Sequence, residues 1–189
     1  MKRELIIIDG VNLIFRVFYA VPPFHTRDGK PVNALFGYTK ALMQIMKMEA
    51  EYVIMTFDSG GGTFRHEADA TYKAQRDGMP DDLVAQMDAI FEVTDLLGIP
   101  RVAVPGFEAD DIIGTLAVKH RDDMERVLIV SSDKDLFQFI GRHVYVYDAM
   151  KDRLYDEEEA VKKFEIHPTQ IVDYLALIGD TADNIPGVK

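Results

Sequence analysis

Cysteine is absent from the 189 residues, which excludes a disulfide framework, a thiolate zinc site and a cysteine nucleophile. No apolar run approaches the roughly 18 residues of a membrane-spanning helix. Met1-Lys2-Arg3-Glu4 leads straight into a strand-like run with no signal-type segment or cleavage site. A cytoplasmic protein with no membrane partner is the expectation. Gly60-Gly61-Gly62 lacks the Gly-Lys-Ser/Thr ending of a phosphate-binding loop and reads as a hinge. The histidines at 25, 66, 120, 143 and 167 show no ligand spacing, and no internal repeat is evident. Basic charge is short too. Lys and Arg number 21 against 32 Asp and Glu, a net charge of −11, opposite in sign to the basic surfaces of most nucleic-acid binders.

The abundant acids are not evenly spread. Asp9 closes the apolar run Leu5-Ile6-Ile7-Ile8, and Asp58 follows Tyr52 to Phe57. Glu108, Asp110 and Asp111 follow Val102-Ala103-Val104-Pro105, Asp133 and Asp135 follow Val127-Leu128-Ile129-Val130, and Asp180 and Asp183 follow the apolar stretch from Ile171 to Ile178. Such runs read as buried strands of a parallel sheet, whose ligands sit beyond the strands' carboxyl ends. Like charges gathered there are costly unless a cation lies between them. The nine acids therefore predict a site for hard divalent ions. Setting them aside leaves 23 acids against 21 basic residues, a balance of −2, so net charge neither excludes nor supports a nucleic-acid partner.

Strand-like and helix-like segments alternate over 1–189, predicting one α/β domain with a mainly parallel sheet and helices on both faces. Leu35, Phe36, Thr39, Leu42, Met43 and Met46 trace one expected helix face. Leu83, Met87, Ile90, Phe91 and Leu97 trace another, after a helix start at Met79-Pro80-Asp81-Asp82. Ile112, Ile113, Leu116 and Ala117 form a third stripe, with Gly98 and Gly141 as helix stops. The Met and Phe residues of these stripes read as core. Residues 59–80 lack an apolar face and read as an excursion above the sheet, near the acids.

Glu108-Ala109-Asp110-Asp111 at a helix start exceeds what capping needs. Magnesium is satisfied by a few carboxylates, waters and phosphate oxygens, and two such ions roughly 4 Å apart suit in-line displacement at phosphorus. Ser131-Ser132-Asp133 also reads as an N-cap, which leaves Asp135 unexplained. Asp156 to Glu159 fits a solvated helix start. Tyr72, Lys73 and Arg76 are the candidate substrate group, since tyrosine stacks on a base and the cations meet phosphate. Arg16, one or two turns beyond Asp9, and Arg65 are further candidates.

Five motifs in order, Ile8-Asp9-Gly10, Phe57-Asp58, Glu108-Ala109-Asp110-Asp111, Asp133-Lys134-Asp135 and Gly179-Asp180-Thr181-Ala182-Asp183-Asn184-Ile185-Pro186-Gly187, resemble those of 5′ nucleases. The chain is similar to the N-terminal 5′→3′ exonuclease domain of bacterial DNA polymerase I, a relative of flap endonucleases. The resemblance implies a PIN-like (resolvase-like) core under a helical arch at 63–80. It also implies cleavage of DNA at a flap, gap or free 5′ end, with Mg2+ or Mn2+, by a monomer. It assigns Asp9, Asp58, Glu108, Asp110 and Asp111 to one ion, and Asp133, Asp135, Asp180 and Asp183 to a second. Lys73 and Arg76 would steer the scissile phosphate with Arg16 assisting, Asp111 would take part in catalysis, and Tyr72 would stack on the displaced nucleotide. Water is the implied attacking group.

Ala182 stands where the family usually has serine. Residues 179–189 correspond to the start of a Gly-rich helix-hairpin that grips duplex DNA, so weakened duplex affinity is expected. Two other functions remain open at this point: a DNA-end or flap binding module with little turnover, and a PIN-type ribonuclease. Purely structural acids are the blandest alternative.

Overall fold

The computed structural model describes residues 3–76 and 78–188. Six strands, β1 (Glu4–Asp9), β2 (Tyr52–Thr56), β3 (Arg101–Val102), β4 (Arg126–Val130), β5 (Val144–Asp148) and β6 (Arg153–Tyr155), form one sheet in the order β3-β2-β1-β4-β5-β6. All neighbours are parallel except β5 and β6. β1 is central and buried along its whole length, which its unbroken Leu-Ile-Ile-Ile run allows. Its alternation sends Ile6 and Ile8 into one core and Leu5 and Ile7 into the other.

Helices cover both faces. α1 (Gly10–Ala20), α2 (Asn33–Met46), α4 (Asp81–Val84) and α5 (Met87–Leu96) close the Ile6/Ile8 face, with Leu13, Tyr38, Leu42, Leu83 and Ile90 buried there. α6 (Ala109–His120), a 3-10 turn (Asp135–Phe139), α7 (Glu157–Phe164) and α8 (Ile171–Ile178) close the other through Ile113, Phe137, Ala160 and Ile171. Burying each of the Leu, Ile and Phe side chains among these contributes roughly 1.5–3 kcal/mol. β1 lies between β2 and β4, so the chain leaves it toward one side of the sheet and later returns on the other. The crevice of such a sheet opens at the carboxyl ends there.

Several expectations need correction. Ile171 to Ile178 is α8, not a strand. A 3-10 turn opening at Pro168, with His167 and Gln170 capping each other, launches it. The buried side of α2 is Ala34, Gly37, Tyr38, Ala41, Leu42 and Ile45, whereas Phe36 and Met43 are both 57% exposed. The large residues traced the wrong stripe, because small ones line the contact with α1. A Cβ on Gly37 would lie 2.8 Å from Val21 Cγ2. β3 has two residues rather than four, and the helix expected over 83–97 breaks between α4 and α5 at Ala85-Gln86, where Gln86 Nε2 donates to Asn33 Oδ1 and the Asp82 carbonyl. Within 63–80 only α3 (Phe64–Ala68) is helical, and residues 71–75 are turns, so the described part is not a continuous helical arch. The hairpin β5–β6 was not anticipated.

Candidate active site

The expected convergence of acids starts at Asp9. It ends β1 and caps α1, accepting the Asn12 backbone N–H at 3.1 Å and the Ser131 hydroxyl at 2.8 Å. Gly10 is required behind it, since a Cβ would meet the Phe57 ring at 2.5 Å and the Thr56 carbonyl at 2.9 Å. Asp58 lies two residues beyond β2 and accepts the Ala109 N–H at 2.7 Å, tying it to the start of α6. Asp111 accepts the Glu108 N–H at 3.0 Å across that helix start. Past β4, the Ser131 hydroxyl accepts the Asp133 N–H at 3.1 Å, and Asp133 accepts the Asp135 N–H at 3.0 Å.

Asp9, Asp58, Glu108, Asp110 and Asp133 line one cleft of about 700 Å3, together with Lys73, Arg76 and Arg16. Asp111 and Asp135 line a separate cavity of about 390 Å3 on the other side of Asp110, with Arg65. Asp180 and Asp183 line neither. Crowding shows in the acidities. Burial, then repulsion from Asp9 and Asp133, pushes Asp110 up from 3.8 to about 8. Burial, then Asp133 and Asp58, raises Asp9 to about 6 against the hydrogen bonds from Ser131 and Asn12. Burial and Asp133 raise Asp135 to about 6.

Basic side chains hold four of the other acids. Arg65 grips Asp111 with two bonds of 2.8 Å, which pulls that carboxyl below its ordinary value. Lys73 Nζ lies 2.9 Å from Glu108 Oε2, Arg76 pairs with Asp183, and Lys134 Nζ lies 3.0 Å from Asp180 Oδ2. The Tyr72 hydroxyl donates to Glu108 at 3.1 Å, and burial followed by repulsion from Glu108 raises its pKa above the ordinary phenol value. Its ring packs edge-on against His66, so the stacking surface expected of Tyr72 is partly covered. Arg65 reaches an acid rather than open cleft.

Arg16 does face the cleft, anchored at 3.2 and 3.3 Å to the buried carboxylate of Asp148. Asp148 went unnoticed, although Val144-Tyr145-Val146-Tyr147-Asp148 repeats the run-then-acid signature. Asn12 was missed as well. Its carbonyl oxygen receives both the N–H and the hydroxyl of Ser132, at 3.1 and 3.0 Å, which pins β4's exit beside α1.

The donor set fits hard divalent ions, being all carboxylate oxygens, with Asp9, Asp110 and Asp135 raised by burial first and by neighbouring acids second. Asp135 Oδ1 is a buried oxygen without a hydrogen-bond partner among the described residues. Among those residues no three carboxylates are yet close enough to surround an ion. Four of the nine acids are paired with Arg65, Lys73, Arg76 and Lys134.

A family model described as the 5′-3′ exonuclease N-terminal resolvase-like domain matches residues 4–165. The chain belongs to the 5′-3′ exonuclease family. The 5′-3′ exonuclease of Aquifex aeolicus is 41% identical over 188 residues, spanning 99% of this chain and 65% of that protein. The thermostable DNA polymerase I of Thermus thermophilus is 39% identical over 188 residues, spanning 100% of this chain and 22% of the polymerase. This exonuclease-family chain thus spans less than two thirds of either relative. Structures of the phage T5 enzyme superpose with TM-scores of 0.81 (co-crystallized with metal ions), 0.79 (divalent zinc bound) and 0.74 (a flap endonuclease complex with DNA and metal ions). Each covers 99% of this chain and 70% of the phage chain, at 23%, 25% and 24% identity. The fold is the mainly parallel, resolvase-like PIN fold. Among the described residues no helix is long and apolar enough to cross a membrane.

Proposed function

We propose that this chain hydrolyses phosphodiester bonds of DNA near single-strand/duplex junctions as a 5′→3′ exonuclease and flap endonuclease dependent on Mg2+ or Mn2+, in replication and repair. The observation that carries this reading is the meeting of Asp9, Asp58, Glu108, Asp110 and Asp133 on one cleft that also presents Lys73, Arg76 and Arg16. Relatives of the same family are named 5′-3′ exonucleases, and the phage enzyme's structures include divalent ions and DNA. All the side chains this reading uses come from one chain, so a monomer suffices. A cytoplasmic location accords with a DNA substrate.

Asp9, Asp58, Glu108, Asp110 and Asp111 would hold one ion and Asp133, Asp135, Asp180 and Asp183 a second, with Asp133 on the same cleft as the first four and Asp111 on the adjoining cavity. Bound divalent ions supply Lewis-acid activation of water and offset charge on the leaving oxygen. Asp110 must give up its proton when the site fills: burial, then repulsion from Asp9 and Asp133, retains that proton up to about pH 8 in the ion-free protein, and a cation bound beside it would favour release. Lys73 and Arg76 would donate to the phosphate oxygens as point charge and fork respectively. Asp148 fixes the Arg16 guanidinium at the cleft wall before substrate arrives, an orientation set in advance of the charge it meets.

The test is cleavage of a 5′-labelled flap duplex in Mn2+, beside a matched single-stranded DNA and a matched RNA. Products mapping near the flap junction support the proposal. Binding without product would replace it with a DNA-end binding module, and preferential cutting of RNA would replace it with a ribonuclease.

A further inference from the structure

Residues 63–76 lie over the acids with almost nothing apolar to hold them there. None of residues 64–76 is buried, and α3 contributes no buried side chain. Polar contacts do the holding. Arg65 takes Asp111 at 2.8 Å, Lys73 takes Glu108 at 2.9 Å, and Arg76 takes Asp183. Asp183 also receives the Lys73 backbone N–H through its carbonyl, at 3.1 Å. Two further bonds tie the segment to the turn around Asn184. Gln75 Nε2 donates to Asn184 Oδ1 at 2.9 Å, and Asn184 Nδ2 donates to the Thr71 carbonyl at 3.0 Å. On its N-terminal side, Gly60 and Gly61 adopt φ of +73° and +85° with open space around them, a backbone that swings easily.

We propose that residues 63–76 are a charge-held latch. In the ion-free protein Arg65, Lys73 and Arg76 act as counter-ions to Asp111, Glu108 and Asp183. Divalent cations displace them, and the released cations then become available to the phosphodiester. The two ligands are linked through one exchange of partners: the ion removes the carboxylates' need for the latch, and the latch side chains gain a need for phosphate. Fully carboxylate-bound cations are poor phosphate ligands, so DNA binds the closed latch weakly and the ion-loaded, open one more tightly. Such linkage is reciprocal. This inference deepens the proposed divalent-ion site and rests on that reading.

The experiment is hydrogen–deuterium exchange of the full chain in EDTA and in Mn2+, with Mn2+ affinity measured separately by electron paramagnetic resonance on DNA-free protein. Saturating Mn2+ should speed exchange across 63–76 by at least about tenfold, while β1 and β4 are unchanged or slower. Arg65→Gln should bind Mn2+ about fivefold more tightly, the equivalent of the roughly 1 kcal/mol of a partly exposed ion pair. Gln75→Ala removes only the exposed bond to Asn184 and leaves every carboxylate and cation in place. It should raise ion-free exchange of 63–76 and shift Mn2+ affinity in the same direction by a smaller factor. If Mn2+ binds and exchange at 63–76 stays as in EDTA, or if both variants bind Mn2+ no more tightly, the latch is wrong while the ion site stands. If no Mn2+ binds, both fall.

Discussion

Replacing Asp110 with asparagine should stabilise the ion-free protein. The carboxyl is raised from 3.8 to about 8 by burial and by Asp9 and Asp133, so the folded state holds a proton there that the unfolded chain releases. Between these values the native state binds more protons, and stability contributed by this group falls as pH rises through the window. At pH 7.5 the unfolded carboxyl is ionised by about 3.7 pH units, and at about 1.4 kcal/mol each the cost reaches a ceiling of about 5 kcal/mol. Asparagine carries no such cost but gives up roughly 1–3 kcal/mol as a buried polar group with imperfect partners. A net gain of about 2–4 kcal/mol is expected, or roughly 4–16 °C in Tm for a domain of this size. At pH 5 the carboxyl's cost drops to about 1.6 kcal/mol, so the gain should nearly vanish. The assay is thermal unfolding of both proteins in EDTA at pH 5.0 and 7.5. An Asp110→Asn protein less stable than the parent at pH 7.5, or a difference that does not shrink at pH 5.0, would refute the crowding argument.

Other outcomes follow from the same geometry. Mg2+ or Mn2+ at about 100 times its dissociation constant should add about 2.7 kcal/mol to the parent, read as a Tm rise of roughly 5–10 °C, and the rise should be absent in EDTA. Asp148→Asn keeps an acceptor for the Met150 and Lys151 amides but loses the charge that anchors Arg16. Flap-cleavage kcat/KM should fall about tenfold with most of the stability retained, and unchanged kinetics would remove Arg16 from the site. Gly10→Ala should destabilise by about 1–3 kcal/mol in denaturant unfolding, because the new methyl meets the Phe57 ring and the Thr56 carbonyl.

The sequence was most legible where one local rule decided the outcome. Unbroken aliphatic runs specified β1 and β4 and a β-branched, apolar run specified β2, and the acids just past them had to share an edge once those strands were parallel. Legibility failed where tertiary context chose between equal patterns. Along α2 the 3.6-residue period fits two stripes, and close approach by α1 selects the one with Ala and Gly. The run from Ile171 to Ile178 has a strand's composition, but the Pro168 turn before it starts a helix. Asp148 was hidden because β5 alternates Val with Tyr rather than running aliphatic. The pairing of Arg65, Lys73, Arg76 and Lys134 with the acids was beyond reach from spacing, since it joins residues 35 to 107 positions apart. The placement of Arg65, Lys73 and Arg76 depends on how the Gly60-Gly61 joint folds back.

The central claim is that the strand-end carboxylates form a divalent-ion site for cutting DNA. The most direct measurement is the single-turnover rate of 5′-flap cleavage in saturating Mn2+, for the parent chain and for Asp110→Asn, whose fold is expected to be the more stable of the two. The account predicts metal-dependent cleavage by the parent and a loss of at least about a thousandfold in the variant, an effect of about 4 kcal/mol on the barrier. Equal rates in the two proteins would contradict it.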